Sequence, residues 1–337
     1  MRSFLQRHWF LVGLVVLIPS AITAAQSGAS SALIQTVDAV PTSYCTAAIL
    51  FLMAVTLNSG RLFDSLRRPA PVFTACAVNQ LAIPVLCLPL LALQKSADMK
   101  VGLLIAASVP CTMAAASVWT RRAGGNDAVS LLVTLITNGL CFVVTPAWMT
   151  LGATWFNTAD TASQLQFSDL MLKLTLAALC PAIIGQCLRL SVHIRTYVDA
   201  HKTSFSNVAQ AIILTLVFIS AFRGGLKFGQ DGMSNGVRHL EFAGVWLSVI
   251  GLHLSGMGIA WLSSGWLRFH DADRAACAIA GSQKTLPIGI LVSQATGLPF
   301  SLLPILLYHA SQLFIDTWIA DRLNRRIAGT PKKPLAK

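Results

Sequence analysis

Apolar residues run along this chain in blocks of 17 to 26, separated by short polar segments. A bilayer core about 30 Å thick is crossed by a helix of about 20 residues. Ten blocks reach that length: about 9–25, 43–60, 70–93, 101–120, 128–150, 168–189, 205–222, 241–266, 275–295 and 300–320. The pattern predicts an all-α polytopic membrane protein with ten transmembrane helices. Two blocks are interrupted. The fourth, VGLLIAASVPCTMAAASVWT, holds Pro110 and then a run of small residues from Ala114 to Ser117. The ninth, AACAIAGSQKTLPIGILVSQA, holds Gly281, Ser282, Gln283, Lys284 and Thr285 at its centre, with Pro287 just after. A lysine at that depth is costly and marks function. Helix breakers beside it free backbone groups to bind something.

Composition supports the membrane reading. The chain is 55% hydrophobic and 11% charged, with a mean hydropathy of +0.66, whereas soluble domains carry about 25% charged residues. The net charge of +12 is topological. The N-terminus, the links 61–68, 121–125, 189–202 and 268–274, and the tail from Arg322 hold 18 of the 25 Lys and Arg. The opposite links hold five: Lys95, Lys100, Arg223, Lys227 and Arg238. The positive-inside rule then puts both termini in the cytoplasm, and the short turns point to a bacterial inner membrane. No basic face for nucleic acid emerges. The eight cysteines lie in or beside apolar blocks, without a C-x-x-C pair, and read as small buried hydrophobes. The first block, with its basic start and small residues near Ala24, also fits a cleaved signal peptide. A retained helix is the expectation, because the count is then even and symmetric.

Ten helices divide into five and five, and an odd number per half inverts the second half. The expectation is two inverted repeats, about 9–150 and 168–320, whose fourth helices (spans four and nine) are discontinuous and cross. Other polar residues gather in neighbouring blocks: Asn79 and Gln80 ahead of Pro84; Ser130, Thr134, Thr137 and Asn138; His253 and Ser255; His309, Ser311, Gln312 and Asp316. This predicts a core of 70–150 and 241–320 and a panel of 9–60 and 168–222, within one domain that ends in a cytoplasmic tail, 321–337. His253 and His309 are proton-relay candidates, since imidazole titrates near neutral pH. Asp316 is expected to pair with a basic group near the cytoplasmic end.

The strings PCTMAAASVWTRRAGGNDAVSLLVTLITN (110–138) and GSQKTLPIGI (281–290) resemble the bile acid:sodium symporter family. They are closest to its SBF-like branch, that of member 7 of solute carrier family 10. The resemblance implies ten helices with inverted repeats, crossing broken helices and alternating access. It also implies sodium ligands. Gln80 matches the family's helix-three glutamine, Ser130 and Thr134 its helix-five hydroxyls, and Gln283 its helix-nine glutamine. Ser117 stands where the family has asparagine, and Ala116 replaces a serine. The family's helix-nine glutamate falls at Ile279, and an asparagine position at Lys284. Losing a carboxylate and gaining an ammonium both weaken sodium binding. The expectation is that Lys284 replaces one sodium, donating to Gln80, Gln283 and broken-helix carbonyls, with Ser282 and Thr285 beside it. No other cofactor is expected.

These features predict a secondary active transporter of an amphipathic, bile-acid-like organic anion. One alternative is a regulator of calcium homeostasis without flux. Another is an intramembrane enzyme using His253, His309 and Asp316, which no H-E-x-x-H or G-x-S-x-G motif supports.

Overall fold

The computed structural model describes residues 2–57, 69–113, 115–155, 167–228, 235–298 and 300–328. Asn58, the basic link 61–68 and the tail from Gly329 lie outside the described residues. Among the described residues there is no strand. The helices are α1 (Arg2–Gln26), α2 (Ser31–Ala39), α3 (Thr42–Val55), α4 (Pro69–Leu91), α5 (Ala97–Ser108), α6 (Ala115–Arg122) and α7 (Asp127–Trp155). They continue with α8 (Phe167–Leu188), α9 (Val192–Ala200), α10 (Lys202–Phe228), α11 (Asn235–Trp266), α12 (Asp271–Ser282), α13 (Leu286–Thr296) and α14 (Leu303–Ala328). The chain is a polytopic membrane protein.

Among the described residues, six helical stretches reach a membrane span by length and apolarity, or seven if α2 and α3, bent by 49°, are taken as one. That falls short of ten for local reasons. The apolar part of α1 is only Val12–Gln26. Helices α5 and α6 are each half-length, and α14 carries His309, Gln312 and Asp316. Helix α2 was not expected. Ser30 starts it by accepting from Leu33 N (3.3 Å), and Pro41, after extended Val40, separates it from α3.

Helix α1 packs on α10, and α3 packs on α8 and α10. A second group surrounds α12, which touches α4, α6, α7 and α11, while α14 lies against α5, α6 and α11. Small residues allow the close crossings. A Cβ on Gly102 of α5 would strike the Ser301 carbonyl and the Pro304 ring. Helix α13 reaches from this group to α3 and α8. The hydrophobic window of Asp271–Thr296 is buried throughout.

Polar contacts tie the two ends. At the basic end Arg122 makes a two-pronged contact with Asp321 (2.7 and 2.8 Å), and Asn126 joins Asp273 (2.8 Å). Arg189 reaches Asp199 (2.9 and 3.1 Å) and the Val55 carbonyl (2.8 Å). At the other end Glu241 accepts from the backbone N–H groups of Lys95 (3.0 Å) and Ser96 (2.7 Å). A carboxylate suits that place, where the positive end of the α5 dipole begins.

Candidate functional site

The chain leaves helical conformation twice inside this buried region. Helix α5 stops at Ser108 because Pro110 forces Val109 into an extended conformation (φ −65°, ψ 154°). Helix α12 stops at Ser282, and Gln283 (φ −74°, ψ 144°) and Thr285 (φ −87°, ψ 132°) are extended before α13 starts with Pro287 in its first turn. The breaks meet. Thr285 N donates to the Pro110 carbonyl (2.9 Å), and Thr112 Oγ1 donates to Gln283 Oε1 (2.6 Å).

Each broken end leaves backbone groups without helical partners, which lipid cannot satisfy. Side chains do so here. From α7, Thr137 Oγ1 accepts from Cys111 N (3.2 Å), Asn138 donates to the Cys111 carbonyl (2.8 Å), and Thr134 donates to the Thr112 carbonyl (3.1 Å). From α14, the Gln312 amide takes both sides of Lys284, accepting from its N–H and donating to its carbonyl (2.9 Å each). Tyr308 (2.7 Å) and His253 Nδ1 (3.2 Å) approach the Ser282 carbonyl. From α4, Asn79 Nδ2 donates to the Gln283 carbonyl (2.9 Å).

Lys284 is completely buried. Its Nζ donates to the backbone oxygen of Asn79 (2.6 Å), to Asn79 Oδ1 (3.3 Å) and to the backbone oxygen of Val109 (2.9 Å). The sequence accounts for the Asn79 carbonyl. Helix α4 widens into a π-turn at Val78–Ala82, in which Ile83 N bonds to Val78 O. The next N–H in that register would be residue 84, and Pro84 has none. Asn79 O therefore takes the ammonium, and Gln80 O takes the Trp148 indole N–H (2.8 Å).

The expected partners of Lys284 are thus corrected. Its ammonium reaches Val109 at the first break as anticipated, but Asn79 stands where Gln80 and Gln283 were expected. The Gln283 amide is spent on Thr112 and on Asp316 Oδ2 (2.5 Å). Asp316 has a basic partner, as expected, but one inside the crossing. It is fully buried, and the basic group it meets is His253, whose Nε2 lies 2.9 Å from its Oδ1. Ile279 packs with Ala123, Ala275 and Ala320, in a small apolar cluster of its own. A carboxylate does reach the crossing, from α14 instead of α12. His309 lies apart from the His253–Asp316 pair, against Gln312 (2.9 Å). Ser282 donates back to the Ala278 carbonyl (2.8 Å), and Gly281 lies against Ala260 and the Ala75 backbone. Gln80 Oε1, Ser117 Oγ and Ser130 Oγ are buried and unpartnered.

A cleft with two parts lies beside the first break, whose Met113 lines both. One part, about 440 Å³, is lined by Met53 and Thr56 of α3, Ser117 and Arg121 of α6, Leu131 of α7 and Lys202 of α10. A more apolar part, about 220 Å³, lies among Leu50, Asn138, Ala178, Ile183 and Ile288. Leu57 lines both as well.

Buried breaks, a lysine held by carbonyls and a cleft beside them define a membrane-transporter architecture. The chain belongs to the SBF-like CPA transporter family, whose model matches residues 8–325. It is 23% identical to a sodium/bile acid cotransporter 7 of Danio rerio, over 97% of this chain and 96% of that one. A rat protein of the same name is 23% identical over 94% and 95%. A probable chloroplastic sodium/metabolite cotransporter, BASS4, of Arabidopsis thaliana is 26% identical over 87% and 68%.

Proposed function

We propose that the chain carries an amphipathic organic anion across the membrane by alternating access, with Lys284 in place of one coupling sodium. The observation that carries this reading is the cleft. Its wide part has Lys202 for an anionic group beside the Arg121–Asp127 ion pair (3.1 Å), its narrower part is apolar, and Met113 of the first break lines both. An acidic head and a hydrophobic body fit that order. The names of the relatives, cotransporters of sodium with bile acids or metabolites, agree with it.

On this reading the chain crosses the membrane ten times. The seven stretches above gain α1, the α5–α6 pair and α14. The two groups of packed helices support a panel (9–60, 168–222) that rocks against a core (70–150, 241–320). Breaks in the fourth and ninth spans support inverted repeats. Clustered arginines at one end support cytoplasmic termini in a bacterial inner membrane.

The crossing supports reduced sodium dependence. The Lys284 ammonium is held by neutral oxygens of Asn79 and Val109, and the Asp316 carboxylate by Gln283 and His253, without an added ion. The unpartnered oxygens of Gln80, Ser117 and Ser130 are the groups that a cation carried as cargo would use, whereas Gln283 has both amide atoms committed. In proteoliposomes, saturable uptake of a radiolabelled bile salt or aliphatic sulfonate is expected to persist when choline replaces sodium. Strict sodium dependence would overturn the role of Lys284. Absence of saturable uptake in either salt would overturn the transport reading.

A further inference from the structure

We propose that the backbone oxygens of Asn79 and Val109, with Asn79 Oδ1, form a receptor for one small monovalent cation, and that the Lys284 ammonium is its resident occupant. The match is geometric. An ammonium has three N–H donors, and three oxygens lie within 2.6, 2.9 and 3.3 Å of Nζ. The two backbone oxygens are set by their own helices, and Asn79 Oδ1 is oriented by the backbone just before Lys284. The Asn79 carbonyl is freed by the π-turn and Pro84. The Val109 carbonyl is turned out of α5 by Pro110. Asn79 Oδ1 also accepts from Gln80 Nε2 (3.3 Å), and its amide nitrogen is anchored on the Gln283 carbonyl (2.9 Å). The oxygens are therefore a preorganised cup that belongs to α4 and to the first break, while its filler comes from the second.

The charge type of the receptor selects its ligand. All three oxygens are neutral, and Asp316 makes no ion pair with Lys284 among the described contacts. Divalent cations take carboxylates and more oxygens, so this cup suits a single positive charge. The occupant is tethered to the α12–α13 break. It cannot exchange with bulk ions, and it moves only when that break moves. In this chain the position is closed to sodium. This inference does not depend on which solute crosses the membrane.

Removing the filler while keeping the cup tests it. Lys284→Ala deletes the atoms of n-propylammonium. The purified full-length variant is expected to melt below wild type. n-Propylammonium should restore it saturably, by about 5 °C at concentrations well above its dissociation constant. n-Propanol, which fills the same space without charge, should not, and wild type should respond to neither. Equal rescue by propanol, or no rescue by either, overturns the receptor. Should Lys284→Ala yield no folded protein, Lys284→Met decides, because it fills the stem without the charge. Melting at or above the wild-type temperature overturns the receptor, and a drop below it supports a positive charge as what the three oxygens require.

Discussion

At the residue scale, Asp316 shows how a buried charge is tolerated. It accepts from Gln283 and faces His253, so both of its oxygens are engaged. Removing one member of such a pair costs about 3–5 kcal/mol, whereas replacing both by apolar groups is often nearly neutral. Asp316→Asn should therefore lower unfolding stability by an amount in that range. The double variant Asp316→Leu with His253→Phe should recover most of it without recovering uptake. Chemical denaturation of both, beside an uptake assay, checks this. If the double variant transports at the wild-type rate, the pair serves stability alone. The chain's letters gave a partial view of this residue. Hydropathy marks a span without fixing depth within it, so Asp316 read as belonging to the membrane edge. Positions 309, 312 and 316 share one helical face, and that spacing was the available signal that Asp316 looks inward with Gln312.

At the element scale, the apolar blocks foretold most helices, and Pro110, Gly281 and Pro287 foretold where two of them break. The π-turn in α4 was not legible, because nothing in VNQLA distinguishes it from ordinary helix. One inserted residue turns the side chains that follow it by about 100° relative to those before it. The visible clue was a proline five residues after an asparagine. Pro84→Ala is a test with opposed signs. Propensity alone predicts a helix more stable by up to about 3 kcal/mol. Restoring an N–H at position 84 would compete with Lys284 for the Asn79 carbonyl, so a lower melting temperature is expected despite the better helix former. A higher one would mean that the freed carbonyl contributes little.

At the scale of the whole molecule, charge operates at the basic end in two ways. Arg121 and Lys202 border the cleft without touching its apolar depth. Lys202→Ala should raise the KM of an anionic solute roughly two- to fivefold, since exposed charge pairs contribute about 0.2–1 kcal/mol. It should leave a neutral analogue unchanged, and added salt should erase the difference. The link through α9 adds a pH dependence. The hydrogen bond from Arg189 holds the Asp199 carboxyl below its ordinary value, against a smaller opposing effect of burial. A lowered native pKa stabilises the fold above the unfolded value of about 3.9 and is lost as pH falls through the native one. Asp199→Asn should cost up to about 1 kcal/mol at pH 7, because the carboxylate is partly exposed. The gap to wild type should close below about pH 4 in melting curves.

Glu241, whose carboxylate receives the Lys95 and Ser96 amides, is the only glutamate in the chain. A glutamate-selective protease therefore has a single address, in the second turn of α11. While the carboxylate holds the start of α5, that bond should be protected. Its cleavage rate, read as two fragments on a gel, would report how often this end of the protein comes apart, with no label and no engineered residue.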